Sequence, residues 1–392
     1  MDFELSWLLL GLPIAFLLGW MASRMDLRQW RRENRDSPKP YFKGLNLLLN
    51  EQQDKAIDAF IEAVQNDPDT ADLHFALGNL FRRRGEFERA VRVHEHLLSR
   101  SDLKTEDRHR AQHALAQDFL RAGLFDRAEA ACLKLEGTAF EGDARLARLA
   151  LYERSRDWER AVAVCEQMEA AEPAQRLQQG SLRGRMAHYF CELALQADLA
   201  GQPHQAQSLL DRARQSDPHA ARPLVLMGQQ CLRQGDPGGA LRAWELLMQV
   251  RALSFSLVAV DYAEAAQQLG GDATARALAQ LEGWYAQSPS LPALHALRLL
   301  DGPHAKRAAD RLLDHLQRVP SSLSAAHLLL SLSSSQSTDP SIHAIERSVA
   351  QAARPLQRYR CAACGFEAQH YFWQCPGCLN WDSFPPQTLE EL

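Results

Sequence analysis

The sequence has no surplus of positive charge. Its 44 lysines and arginines are outnumbered by 49 aspartates and glutamates, a net charge of -5, so no global basic field draws it to nucleic acid. β-Branched residues are sparse beside alanine and leucine, and the 18 prolines and 21 glycines punctuate at long intervals. That pattern argues against a sheet protein and for a mostly helical one. There is no Walker loop and no G-x-G-x-x-G, and "VHEHLL" around His94 and His96 lacks the H-E-x-x-H spacing that puts two histidines on one helical face. His109 and His113 do lie four apart, but without a third ligand, and packing is the plainer reading. No catalytic constellation is visible, and an enzyme is not expected.

Cysteine is scarce and unevenly used. Cys132, Cys165, Cys191 and Cys231 stand singly inside Ala/Leu-rich helical patterns and read as small core residues, whereas Cys361, Cys364, Cys375 and Cys378 cluster near the end of the chain. This usage suits a reducing compartment, where paired C-x-x-C motifs bind metal or do redox work.

Long apolar runs are also rare, and the one at the N-terminus is conspicuous. Residues 5–22, "LSWLLLGLPIAFLLGWMA", carry no charge and approach the length that spans a bilayer, with Trp7 and Trp20 near its two ends. A cleaved signal peptide wants positive charge before the run, but Asp2 and Glu4 stand there. Arg24, Arg28, Arg31, Arg32 and Arg35 follow it closely. The reading is a transmembrane anchor at 1–23 and a basic juxtamembrane linker at 24–36, with everything after residue 23 on the cytoplasmic side.

The middle of the chain repeats. Gly44 precedes Gly78 by 34 residues, Ala56 precedes Ala90 by the same interval, and Phe60/His94 and Ala63/Leu97 keep that register. The unit resembles the tetratricopeptide repeat, a helix-turn-helix of that period whose neighbours stack. Six units cover about 37–254. "AVDYAEAAQQLGGDATARALAQLEGWYAQSP" fits a diverged seventh, residues 291–353 read as further helical pairs, and the Ser-rich stretch 331–341 reads as a loop or break before a last helix. The array as a whole is expected over 37–353, as a superhelix with a concave groove.

By the same resemblance the first helix of each unit lines the concave face. Asn79, Arg82, Arg83, Gln117, Arg121, Arg154, Gln229 and Arg233 would then point into it, with an arginine at one equivalent site in Arg83, Arg121, Arg154 and Arg233. Such a channel suits an acidic or carboxylate-bearing peptide, because guanidinium forks pair with carboxylates, although a solvated face rich in arginine is the ordinary alternative.

The terminal "CAACGFEAQHYFWQCPGC" meets the needs of one tetrahedral S4 metal ion, zinc or iron: each C-x-x-C pair spans an edge on a tight turn and the loop brings the pairs together. The knuckles resemble rubredoxin and rubredoxin-like zinc ribbons over 357–385, with Leu379 where the second knuckle would have Gly. Tyr359, Phe366, Tyr371, Phe372, Trp373, Trp381 and Phe384 are expected to fill a module too small to hold itself without metal. Two disulfides are disfavoured by the cytoplasmic assignment.

The fold class is therefore all-α, a tetratricopeptide-repeat superhelix with an N-terminal transmembrane helix and a small C-terminal rubredoxin-like metal-binding module. Anchor, basic collar, array and knot in that order resemble the lipopolysaccharide assembly protein B family of Gram-negative bacteria. The resemblance implies an adaptor that works with the membrane-bound AAA+ zinc protease FtsH and promotes its degradation of the lipid A-pathway deacetylase. It also implies association with lipopolysaccharide assembly and export proteins and restraint by an inner-membrane regulatory sensor. Nucleic acid is not an expected partner, and homodimerisation is left open. The rival reading is a membrane-tethered rubredoxin-type electron-transfer protein. The metal knot is expected to dock on the array and clasp its last helices.

Overall fold

The structure is a computed structural model that describes residues 52–66, 70–171, 180–301, 305–334 and 339–392, with positions 16, 20, 43, 44, 46, 47 and 50. The expected anchor and basic linker lie outside the described residues, apart from Phe16 and Trp20, which are helical. Among the described residues no helix is long and apolar enough to cross a membrane.

The chain divides into two compact units, Met1–Asp157 and Trp158–Leu392. In the first, α1 (Gln53–Asn66), α2 (Ala71–Arg83), α3 (Phe87–Ser99), α4 (Thr105–Ala122), α5 (Phe125–Leu133) and α6 (Glu141–Ser155) each pack against the next. The second opens with α7 (Trp158–Ala171), α8 (Gly180–Leu199), α9 (Pro203–Ser216), α10 (Ala221–Arg233) and α11 (Pro237–Val250). A 3-10 segment, Ala252–Leu257, leads into α12 (Ala259–Leu269) and α13 (Gly271–Gln287), two helices over the stretch expected to be a diverged seventh repeat. Then come α14 (Leu291–Asp301), α15 (Ala305–Arg318), α16 (Leu323–Ser334) and α17 (Pro340–Ala353). After a further 3-10 turn, Arg354–Gln357, the chain makes a two-stranded antiparallel ribbon, β1 (Tyr359–Arg360) and β2 (Glu367–Ala368), with Tyr359 opposite Ala368.

Why these sequences form paired helices is visible at one position of the repeat. A first-helix residue faces the second-helix residue sixteen places later, and their sizes compensate. Where the first is Gly the second is large: a Cβ on Gly44 would lie 2.8 Å from the Phe60 ring, on Gly78 2.5 Å from His94, and on Gly228 2.2 Å from Trp244. The same sixteen-residue spacing separates Ala116 from Cys132 and Ala194 from Leu210, all of them fully or nearly fully buried. A glycine in the first helix thus makes room for a large ring in the second, as a close-packed interior requires. Cys132 and Cys165 are packing residues in this sense, and burial pushes the Cys132 thiol up to about 11 and the Cys191 thiol up to about 12.

The turn between paired helices needs a left-handed residue to end the first one. Gly85, Gly123, Gly201 and Gly235 supply it with φ of 72 to 79°, but Arg156 takes the equivalent place between α6 and α7 with φ 58°. In the second unit a core of small and aromatic side chains runs from Leu224 to Ala325, and the Phe255 ring meets Tyr262 and Trp284 edge-on at 5.3 and 4.9 Å.

The Ser-rich stretch departs from expectation only at its start. Residues 331–334 complete α16, where the hydroxyls of Ser331 and Ser333 donate to the carbonyls of Leu328 and Leu329 at 2.7 and 3.2 Å, while 335–338 lie outside the described residues. The last helix starts where Asp339 caps it, accepting from the Ser341 amide at 2.8 Å, with Pro340 at the first helical position.

Candidate functional site

Four sulfurs converge at the ribbon. The Sγ atoms of Cys361, Cys364, Cys375 and Cys378 all lie within 4.8 Å of one another, the one such group of potential ligands among the described residues. Cys361 to Cys378 is 3.8 Å and Cys364 to Cys375 is 3.7 Å. These distances are far beyond a disulfide bond. A metal–sulfur bond of about 2.3 Å makes tetrahedron edges of about 3.8 Å, so the donor set fits one S4 ion.

Each knuckle is closed by its own backbone. The Gly365 amide donates to the Cys361 carbonyl at 2.9 Å and the Leu379 amide to the Cys375 carbonyl at 2.8 Å. Gly365 has φ 77° and Leu379 φ 60°, so the second knuckle makes the same turn with a residue that carries a Cβ. The thiols differ in their hold on protons. Burial opposes ionisation of Cys361, but the Ser383 hydroxyl and the amides of Cys364 and Ala363 outweigh it and bring the thiol down to about 6. The Phe366 amide favours the Cys364 thiolate, yet desolvation and the three neighbouring sulfurs outweigh that and push it up to about 12. Sulfurs this close resist ionising together unless a cation sits among them, which is the electrostatic form of the same fit.

The expected aromatic filling divides by direction. Phe384 is buried in the ribbon with Tyr359 and Tyr371 against it, whereas Phe366 and Phe372 are exposed. Trp373 and Trp381 turn outward to the helices of the same unit. Trp381 stacks on His188 of α8 with centroids 4.5 Å apart and meets Trp158 and Tyr189 edge-on, each at 6.1 Å. His188 Nε2 is 2.9 Å from the Asp382 carboxylate, and the Arg222 guanidinium of α10 lies 5.6 Å from the Trp381 ring centre. Trp373 joins the helical core. These aromatics could not fill so thin a module from within, so they bury themselves on the array instead.

The chain end completes the clasp. The Ser256 hydroxyl donates to the Pro386 carbonyl at 2.7 Å. Glu391 accepts from the Leu291 amide, at the start of α14, at 2.9 Å, and Glu390 accepts from the Ser324 amide, at the start of α16, at 2.7 Å. Two carboxylates therefore cap two helix N-termini, where unpaired amides and the helix dipole favour negative charge. The docking expected for the last helices is present and extends further, to α8 and α10.

The groove residues are gathered only in part. Arg82, Arg83, Gln117 and Arg121 line one concavity of about 880 Å³ in the first unit, with His113, Asp143 and Leu146. Asn79 is hydrogen-bonded to Arg82, Arg154 donates to the Leu120 carbonyl at 3.2 Å, and Gln229 and Arg233 belong to the second unit. Sequence reasoning missed what holds Arg82. The carboxylate of Asp118, fully buried on α4, accepts from Arg82 at 3.0 Å on one oxygen and lies 2.5 Å from His94 Nδ1 on the other. The signal was a lone acid on an apolar helix face, which demands a buried partner. His113 stacks on Phe140 at 5.1 Å and accepts from the Gln117 amide at 3.1 Å, a packing role.

Comparison with known proteins agrees with this arrangement. The rubredoxin metal binding domain matches residues 359–386, and the tetratricopeptide repeat matches 73–108, which hold most of α2, all of α3 and the start of α4. Lipopolysaccharide assembly protein B of Escherichia coli (strain K12) is 31% identical over 398 residues, covering 97% of this chain and 98% of that one. Its counterpart from Haemophilus influenzae is 26% identical over 418 residues, with 98% of each covered. Among solved structures, Naa15/Naa10 bound to HypK-THB is similar at a TM-score of 0.41 and 16% identity, over 82% of this chain and 47% of that chain, and adds nothing to the fold read above. With that identity along nearly its whole length and a ribbon of the same kind at its end, the chain belongs to the lipopolysaccharide assembly protein B family.

Proposed function

We propose that the protein is a non-enzymatic inner-membrane adaptor that regulates lipopolysaccharide supply. In this reading it promotes degradation of the lipid A-pathway deacetylase by the membrane AAA+ protease FtsH. The relationship to lipopolysaccharide assembly protein B over 97% of the chain is the observation that carries it. The uncharged run at 5–22 and the arginines behind it support a single-pass anchor with the N-terminus periplasmic and the array on the cytoplasmic side. That anchor would meet the protease and the regulatory sensor, while the helix pairs, a fold that binds through stacked surfaces, would receive the deacetylase and proteins of lipopolysaccharide assembly and export. Tethering raises the effective concentration of a cytoplasmic substrate beside a membrane protease without any new contact.

The ribbon's part is structural in this reading. Its tryptophans and terminal glutamates are engaged by the helices, a use of the module that electron transfer does not require. Affinity isolation of the full-length protein from gently solubilised membranes, beside a Cys361→Ser/Cys364→Ser sample, tests the proposal. Recovery of the protease and the deacetylase, reduced in the variant, is expected. Recovery of a flavin or haem oxidoreductase in their place would overturn it.

A further inference from the structure

Four arginines occupy one equivalent site of their repeats, but the structure gives them different company. Arg233 is ion-paired with Asp198 at 2.8 Å, and Arg154 is hydrogen-bonded to the Leu120 carbonyl. Arg82, next to Arg83 in sequence, is held by Asp118 and by the Ala114 carbonyl at 2.9 Å. Among the described residues Arg83 and Arg121 make no ion pair and no side-chain hydrogen bond, and both line the 880 Å³ concavity. A single carboxylate, Asp143, stands on that wall, and Leu146, about half exposed (47%), lies one turn further along the same helix. His113 adds no positive charge near neutral pH, since burial lowers its pKa and the Gln117 amide faces its Nε2. Two guanidinium groups with no partner among the described residues thus share the concavity with one carboxylate, which leaves it net positive, and an exposed apolar side chain lines it with them.

We infer that this concavity seats an extended segment of a protein partner that carries carboxylates next to a large apolar residue. Arg83 and Arg121 take the carboxylates through their paired N–H donors, and Leu146 covers the apolar side chain. Arg82 is a positioning residue, fixed from behind by the buried Asp118 and His94, so the wall is rigid before the partner arrives. Arg154 and Arg233 take no part. The inference rests on the adaptor reading in one respect, that the array receives a protein.

Selection of a random dodecapeptide library on the purified full-length protein tests it. Enriched peptides should be rich in Asp and Glu beside Leu or Phe. A synthetic consensus peptide should bind about ten-fold or more weakly to the Arg83→Gln/Arg121→Gln variant, as loss of bidentate charge-assisted pairs requires. It should bind equally well to Arg233→Gln and lose affinity as salt rises. Circular dichroism checks that both variants keep their helices, as exposed substitutions should. Three results would each overturn the inference: no acidic enrichment, selected peptides that bind the double variant unchanged, or inorganic phosphate or anionic vesicles displacing the peptide from the arginines. Failure of the membrane isolation with the selection intact would remove the adaptor reading and leave the groove chemistry standing. The reverse result would remove only this inference.

Discussion

Gly228 against Trp244 in the array and Cys361 against Cys378 in the ribbon both close two segments of chain on one another, one by fit and the other by donors for an ion. In the array each helix pair buries alanines and compensating large residues, so the favourable term is apolar surface removed from water, spread over many contacts. In the ribbon the buried hydrophobic group is Cys361, Cys375 and Phe384, too little to order the segment alone. Diffuse stabilisation tolerates change at any one place, whereas concentrated stabilisation does not. The clasp formed by Trp381, Glu390 and Glu391 is where the ribbon leans on the helices of its own unit.

The largest expected effect removes the metal from the ribbon. Cys361→Ser with Cys364→Ser, or prolonged chelation, should unfold the ribbon outright, since metal binding in such modules supplies on the order of 10 kcal/mol of folding free energy. Native mass spectrometry should show the loss of one metal ion per chain, and tryptophan emission should shift red as Trp373 and Trp381 leave the helices. Far-UV circular dichroism should stay near its starting value, and a collapse of helix content would break the distinction between the two regions.

In the array the sharpest single site is Gly228. Gly228→Ala places a Cβ against the Trp244 ring and should cost about 1–3 kcal/mol in urea unfolding. Trp244→Leu should restore part of that in the double variant while being destabilising alone, as compensated volume predicts. Simple additivity of the two would refute the size-compensation account.

Smaller effects test the clasp. Glu390→Gln with Glu391→Gln keeps the shape of the tail but removes both charges from the helix N-termini, and should cost about 0.5–2 kcal/mol in all. Hydrogen exchange should quicken at the first turns of α14 and α16 and nowhere in α2 to α5. Smaller still, Arg156→Gly and Leu379→Gly should each stabilise by about 1 kcal/mol through relief of a left-handed backbone. The first would show in the thermal midpoint and the second in slower metal loss to a chelator.

Much of this was readable from residue type and spacing. Gly44, Gly78, Ala56 and Ala90 set the repeat period, and two C-x-x-C pairs announced their metal site, because local turns bring each pair's sulfurs together whatever surrounds them. The start of the Ser-rich stretch misled because Ser331 and Ser333 can satisfy their hydroxyls on helix carbonyls, so serine alone does not mark where a helix ends. The direction of Trp373 and Trp381 was not readable, since an aromatic residue in a small module has the same sequence signature whether it faces its own core or a neighbour.

The sequence by itself determined the helix-pair period, the ligand set of the ribbon and the family, since these depend on local geometry and on residue identity along the chain. Only the tertiary structure decided which arginines have partners among the described residues, that Asp118 is buried between Arg82 and His94, and that Glu390 and Glu391 cap two distant helices. Those depend on which charges meet across helices far apart in the chain, and a charge's partner is fixed by packing and not by its neighbours in sequence.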